Sequence, residues 1–283
     1  VTLSIFNGRL IMSSDFIESL KRLKKCDIEK LNIDSKVTCF SKPFFLYEIK
    51  DFLNEKYYKE LYEAFPSVEL FDNPNPDKGY KKALDGRSKI INDFLLSSSI
   101  WGEFTDTINT HETSLLLKEL FHDNLPKREL FKDREWFTEI NYYSKKSAHV
   151  EAPKNVNLIR YSFEFSHLEN GAYIPPHTDS ETKLITMIMY FPDPCFDWSD
   201  KHNGTYFYRP KDPKCALSSW ESIHLEGDRL AQFRTRYETL YHAKFEPNKL
   251  LVFLKSDESW HEVKKITGLK TTRKAFIVNV FCR

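Results

Sequence analysis

The sequence predicts an α+β protein that is mainly β: an antiparallel, cupin-like jelly roll with supporting helices on its N-terminal side. Three observations point there. From about residue 138 onward, apolar residues recur at every second position in runs of strand length. These runs are short, turn signals separate them, and no long helix lies between them, which is the pattern of a jelly roll. Ahead of residue 138 the apolar period is helical instead. With 283 residues, 41% of them hydrophobic and 15% aromatic, the chain can build one sizeable core, or a core with a small helical lobe. The expected division is a helical extension over 1–40 and a main domain over 41–283. That domain would hold a helical buttress at about 50–125 and a jelly-roll core at about 138–283.

Taken in order, residues 1–10 are open to being leader sequence, with Met12 available as a start. Ser13-Ser14-Asp15 offers cap residues for a helix carrying Phe16, Leu20 and Leu23 on one face. Phe44 to Ile49 reads as a strand. A helix from about Asn54 to Ala64 follows, with Leu53, Tyr57, Leu61 and Ala64 spaced for burial and Pro66 closing it. Residues 72–90, rich in Asp, Asn, Pro and Gly, read as a loop. Ile100-Trp101, Phe104 and Ile108 form one further helical pattern, and Leu115 to Phe121 form another. Both are expected to buttress the sheet.

The strand period begins in Asn157 to His167. There Ile159, Tyr161, Phe163 and Phe165 share one face, while Arg160, Ser162 and Glu164 share the other. Leu184, Thr186, Ile188 and Tyr190 form another one-faced set, and further strands are expected at Thr205–Tyr208, Leu250–Leu254, His261–Ile266 and Arg273–Phe281. Asp193 to Asn203 and the 40 residues from Pro210 to Lys249 (249 − 210 + 1) look like additions to the barrel. Connections that long act as lids or binding loops, or run as solvated excursions with a short helix.

The chemistry concentrates in Ile174-Pro175-Pro176-His177-Thr178-Asp179 and in Ser259-Trp260-His261. A His and an Asp two apart on an extended segment project from the same side of the backbone. His261 arrives 82 residues after Asp179 (261 − 179) on a separate strand. Two imidazoles and one carboxylate on a single face leave the opposite metal positions open, the facial arrangement that suits ferrous iron and oxygen chemistry. Arg273, twelve residues past His261, stands at the mouth of an apolar strand. A lone Arg is costly to bury there unless a fixed carboxylate meets it.

His177-x-Asp179, His261 and Arg273 together resemble the iron(II)/2-oxoglutarate-dependent dioxygenase superfamily, in particular its prolyl-4-hydroxylase-like branch. Arg160-Tyr161, Gly171, the run Leu184 to Tyr190 and Asn203-Gly204-Thr205-Tyr206-Phe207 are similar to that branch as well. The resemblance extends from about residue 41 to the C-terminus. It implies a double-stranded β-helix, with His177, Asp179 and His261 as metal ligands and Arg273 as the cation for the far carboxylate of 2-oxoglutarate. Tyr161 and Thr186 are the neutral donors we select to share that carboxylate; for Tyr161 a plain core role is equally open. Lys274 is the runner-up to Arg273, since both faces of that last strand are apolar enough to be buried.

The implied cofactors are Fe(2+), 2-oxoglutarate and O2, with ascorbate as an optional addition. The implied reaction hydroxylates an unactivated C–H bond of a small-molecule, sugar or peptide substrate and releases succinate and CO2. Halogenases of the superfamily lack the carboxylate, so Asp179 favours hydroxylation over halogenation, with desaturation or ring chemistry left open. The branch often has Gly-Gly where this chain has Asn203-Gly204, and prolyl hydroxylases tend to carry Lys where Arg273 stands. Both departures weigh against a prolyl substrate. The arginines at 229–236 hint at an acidic sugar. A non-catalytic jelly-roll protein that binds a sugar or other ligand is the alternative, although such a module has no need of the whole set.

Composition narrows the partners. Lys+Arg 42 against Asp+Glu 41 gives a net charge of +1, which does not suggest nucleic acid. No apolar run reaches the length of a membrane span, and the start shows no secretory pattern. The five cysteines include no C-x-x-C pair, so free thiols and a cytoplasmic location are expected. The other histidines (among them His111, His122, His167, His202, His224 and His242) have no partner at ligand spacing, and structural or surface roles are expected for them.

Overall fold

The computed structural model describes residues 20–21, 37–74, 79–86, 88–122, 125, 134–139, 156–194, 203–217, 225–267 and 272–282. Among the described residues, twelve strands form two sheets. The large sheet takes β1 (Val37–Phe40), β2 (Leu46–Ile49), β3 (Lys82–Asp85), β4 (Trp136–Thr138), β5 (Asn157–Leu168), β7 (Lys183–Tyr190), β10 (Leu250–Leu254) and β12 (Arg273–Cys282). Its order is β1-β2-β10-β7-β12-β5-β3, antiparallel throughout, with β4 added parallel to β5. The small antiparallel sheet, in the order β6-β11-β8-β9, holds β6 (Ile174–His177), β8 (Thr205–Pro210), β9 (Tyr237–Ala243) and β11 (His261–Val263). From β5 onward the chain alternates between the sheets, with β8 and β9 together as one visit to the small one. Residues far apart in sequence are thereby brought to one cleft.

The helices are α1 (Glu55–Glu63), α2 (Lys89–Ser97), α3 (Ser99–Ile108), α4 (His111–Phe121) and α5 (Gly227–Arg236). Side-chain caps start three of them: Asn54 accepts from the Lys56 amide, Ser88 from Ile90 and Thr110 from Thr113, each supplying an acceptor to an otherwise unpaired first-turn N–H. The first four helices cover the outer face of the large sheet. Trp101 of α3, fully buried, anchors that contact with ring centroids 4.7 Å from Phe165 on β5 and 4.9 Å from Phe276 on β12. The inner face meets the small sheet through Phe44, Leu46, Phe207, Leu251 and Phe253. Both faces of the large sheet are therefore buried. Among the described residues no helix is long and apolar enough to cross a membrane, and Cys39, Cys215 and Cys282 are free thiols.

Several sequence expectations change here. β1 lies ahead of the expected boundary at residue 41 and pairs with β2, so the sheet already begins at Val37. Of the helix expected through Phe16, Leu20 and Leu23, only Leu20 and Lys21 fall within the described residues; both are helical, and Leu20 is buried. Residues 72–90 are not one loop: β3 pairs with β5 as an edge strand, and α2 starts at Lys89. β3 buries only Leu84, so it has too few apolar positions to show a period. The Pro210–Lys249 connection contains α5 and β9, a full member of the small sheet rather than an addition to it. Phe233 of α5 packs on Tyr208, Tyr237 and Trp260, on the small sheet's outer face. The middle of the Asp193–Asn203 loop, with Phe196, Trp198 and His202, lies outside the described residues, as do Trp220 and His224.

Candidate metal centre

Two consecutive prolines would interrupt a central strand, because proline has no N–H to donate. Pro175 and Pro176 lie on β6, an edge of the small sheet, where those donors are not required. They deliver His177 to the end of β6, directly across from His261 at the start of β11. The two imidazole centroids are 4.2 Å apart. Asp179 follows β6, and one ligand atom from each of His177, Asp179 and His261 falls within 4.8 Å of the others. The structure thus brings together the three residues named from the sequence.

Both imidazoles are oriented in the same way. His177 Nδ1 lies 2.9 Å from the Pro175 carbonyl, and His261 Nδ1 lies 2.9 Å from the Ser259 carbonyl. A carbonyl only accepts, so each Nδ1 carries the proton and each Nε2 keeps its lone pair for a metal. Burial lowers the pKa of both rings. For His261 burial, reinforced by neighbouring His177, brings it to about 3, and both imidazoles are neutral at pH 7. Burial alone would raise the Asp179 carboxyl, but the Lys183 ammonium, by its charge and its hydrogen bond, outweighs it and holds the group ionised. Two neutral nitrogens and one carboxylate oxygen, all within 4.8 Å of one another, fit a divalent first-row metal.

Asp179 is itself fixed from two sides. Lys183 Nζ donates to Oδ1 at 2.6 Å, and Thr186 Oγ1 donates to Oδ2 at 2.6 Å. Thr186, expected at the far carboxylate of an organic acid, is engaged instead by Asp179, beside His177 and His261. Its position on β7 opposes Asn279, six residues along β12 from Arg273.

Arg273 occupies the other end of the same cleft, which has a volume of about 100 Å³. Its side chain, 2% exposed, donates through Nε to the Asn203 carbonyl at 2.8 Å and through Nη2 to Thr205 Oγ1 at 3.3 Å. The guanidinium carbon lies 5.0 Å from the Tyr190 ring centre, and the Tyr190 hydroxyl donates to the same Thr205 oxygen at 2.6 Å. Among the described residues no carboxylate pairs with Arg273. Gly204 permits this arrangement, since a Cβ there would lie 2.0 Å from the Ala243 carbonyl oxygen of β9. Lys274 points to the opposite face of β12, toward the Tyr62 and Phe65 rings. Strand direction therefore separates the two candidate cations.

Tyr161 is not in the cleft. It packs with the helices, and its hydroxyl is 2.9 Å from Ser114 Oγ of α4, which also accepts from Thr138 Oγ1. The polar face of β5 is the one turned inward: Glu164, ion-paired with Lys81, and Ser166 both line the cleft. Ser166 Oγ and Asn279 Oδ1 are buried there without hydrogen-bond partners among the described residues. The sequence reading missed Lys183, Tyr190, Thr205, Ser166 and Asn279 as parts of this site. The polar half of the β5 alternation was the signal for Ser166.

Arg234 of the 229–236 group is engaged elsewhere, its fork clasping the buried Glu262 carboxylate at 2.7 and 2.5 Å, joined there by the Tyr208 hydroxyl. His167 is buried beside Phe71 and held down to about 4 by burial, then by Lys274. His242 stacks on Tyr206 with centroids 4.1 Å apart.

No family model matches the chain, and no curated protein does. Among solved structures, the fold is similar to a Pseudomonas putida prolyl-4-hydroxylase, at 12% identity and a TM-score of 0.44, covering 85% of this chain and 94% of that one. It is also similar to the non-heme alpha-ketoglutarate-dependent carbocyclase SnoK (9%, TM-score 0.45, 83% and 79% covered) and epimerase SnoN (9%, 0.45, 83% and 77%), both from nogalamycin biosynthesis. Likeness at that level does not decide the chemistry, which is read from the side chains.

Proposed function

We propose that this protein is an Fe(II)- and 2-oxoglutarate-dependent oxygenase that hydroxylates an unactivated C–H bond, built on a double-stranded β-helix. The observation that supports this most is a single cleft with two unlike ends. At one end two Nε2 lone pairs and a fixed carboxylate converge. At the other, a buried guanidinium has no carboxylate of its own among the described residues. The alternation of strands between the two sheets after β5 supports the fold reading.

In this reading His177, Asp179 and His261 hold the metal, and the carbonyls of Pro175 and Ser259 keep the rings aimed at it. Iron bound there supplies oxygen activation coupled to decarboxylation of 2-oxoglutarate, giving succinate, CO2 and the hydroxylated product. Arg273 takes the far carboxylate of the co-substrate through its planar fork, a geometry a lysine does not offer. Thr205 and Tyr190, already hydrogen-bonded at that end, are the neutral groups beside it. Ile188 and Ile277 supply apolar wall and exclude water along the diacid's methylenes.

The test is succinate release from 2-oxoglutarate under air, measured with and without Fe(II). Metal-dependent release in the wild type, absent from His177→Ala, is expected. Release that is indifferent to rigorous metal removal overturns the proposal.

A further inference from the structure

Lys183, the first residue of β7, lines the cleft four positions after Asp179. Its side chain is 13% exposed, and the ammonium lies 2.6 Å from Asp179 Oδ1. The other charges of the cleft have counterparts. Lys81 is paired with Glu164, and Glu262 with Arg234. Under the oxygenase reading, Arg273 receives one carboxylate of the co-substrate. Asp179 and the other co-substrate carboxylate offset the charge of a divalent ion. Lys183 then shares its one carboxylate, Asp179, with the metal, and the charges lining the cleft keep one positive charge in excess among the described residues. Glu181, the nearest carboxylate in sequence after Asp179, is exposed to solvent. A largely buried ammonium whose only counter-charge is shared with a divalent ion is under-compensated, and an anionic ligand relieves the cost.

We propose that the substrate of this site carries an oxyanion, a carboxylate or a phosphate monoester, which Lys183 receives beside the metal. The inference rests on the oxygenase reading above. An ammonium, with three donors on a flexible stem, suits either oxyanion and turns readily from one partner to another. Lys183 holds Asp179 when no metal is bound and serves the substrate when one is. A metal and Lys183 share one carboxylate, so removing the ammonium leaves metal affinity unchanged or higher. A lysine that merely supported the site would lower it.

The test uses the full chain, loaded with Co(II) and 2-oxoglutarate under nitrogen, and follows the visible spectrum of the cobalt. Two matched pairs of probes are titrated: butyrate against butyramide, and glycerol 3-phosphate against glycerol. One anion of the two is expected to perturb the spectrum saturably, at concentrations at least about tenfold below its neutral partner; which one it is assigns the carboxylate or the phosphate. Lys183→Met should weaken that anion by about 10- to 150-fold, the worth of one charge-assisted hydrogen bond. Lys183→Arg should retain the preference. Equal binding of charged and neutral probes, no saturable binding by either anion, or a preference that survives Lys183→Met overturns the proposal. So does loss of Co(II) binding in Lys183→Met while Lys183→Arg still binds it. A wild-type protein that takes up neither Co(II) nor 2-oxoglutarate overturns the oxygenase reading itself, a result distinct from the others.

Discussion

Replacing Arg273 with Met removes the cation at the deep end of the cleft while filling similar volume. The guanidinium donates to Asn203 and Thr205 but meets no carboxylate among the described residues. In the free protein it is therefore a buried charge stabilised only by neutral acceptors, and burial already lowers its pKa. Its removal should leave the thermal midpoint of the ligand-free protein unchanged or higher, since an uncompensated buried charge is unfavourable. Binding of 2-oxoglutarate should suffer. A charge-assisted hydrogen bond contributes about 1.5–3 kcal/mol, which is about 10- to 150-fold in affinity. The assay is anaerobic titration of 2-oxoglutarate into Co(II)-loaded protein, with the Co(II) constant measured alongside. Lys274→Ala, on the opposite face of the same strand, serves as the control and should shift the constant less than about threefold. A shift below about threefold in Arg273→Met, together with a large one in Lys274→Ala, would refute the reasoning.

Tyr161→Phe should leave 2-oxoglutarate affinity unchanged and cost about 0.5–1.5 kcal/mol in urea unfolding, because its hydroxyl serves Ser114 and not the cleft. His167, with its pKa lowered to about 4 by burial, binds its proton less readily when folded than when unfolded. Stability should therefore fall as the pH drops from about 6.5 toward 4, by no more than about 3 kcal/mol, and His167→Phe should flatten that dependence in acid titrations of the unfolding midpoint. Asp179→Gly removes the carboxylate but neither imidazole, so it should still bind some Co(II) while losing 2-oxoglutarate turnover. Wild-type succinate release by that variant would contradict a ligand role for Asp179.

The cluster of His177, Asp179 and His261 was legible because residue type and short spacing mark it: His177-x-Asp179 on an extended segment, and His261 on a separate strand-like run. Arg273 was legible from the cost of burying it. The two misplaced donors have different physical causes. Period-two alternation says which residues share a face, but not which face turns inward. With helices over the outer face of the large sheet, both faces are buried, and the more apolar side of β5 went to the helices. Tyr161 went with it, leaving Glu164 and Ser166 to the cleft. Thr186 does face inward, but its height along β7 follows from the pairing with β12, which the sequence does not state. β3 and β9 escaped as strands because few of their residues are buried: one on β3, and the two ends of β9. Lys183 drew no notice, since a lysine four residues past a carboxylate is commonplace until the fold buries the pair.

If His177, Asp179 and His261 present iron to a co-substrate whose far end rests on Arg273, anaerobic addition of Fe(II) and 2-oxoglutarate reveals it in the visible absorption. A weak charge-transfer band should develop only when both are present, and His261→Ala should abolish it. No band in the wild type, or an undiminished band in His261→Ala, would contradict the claim.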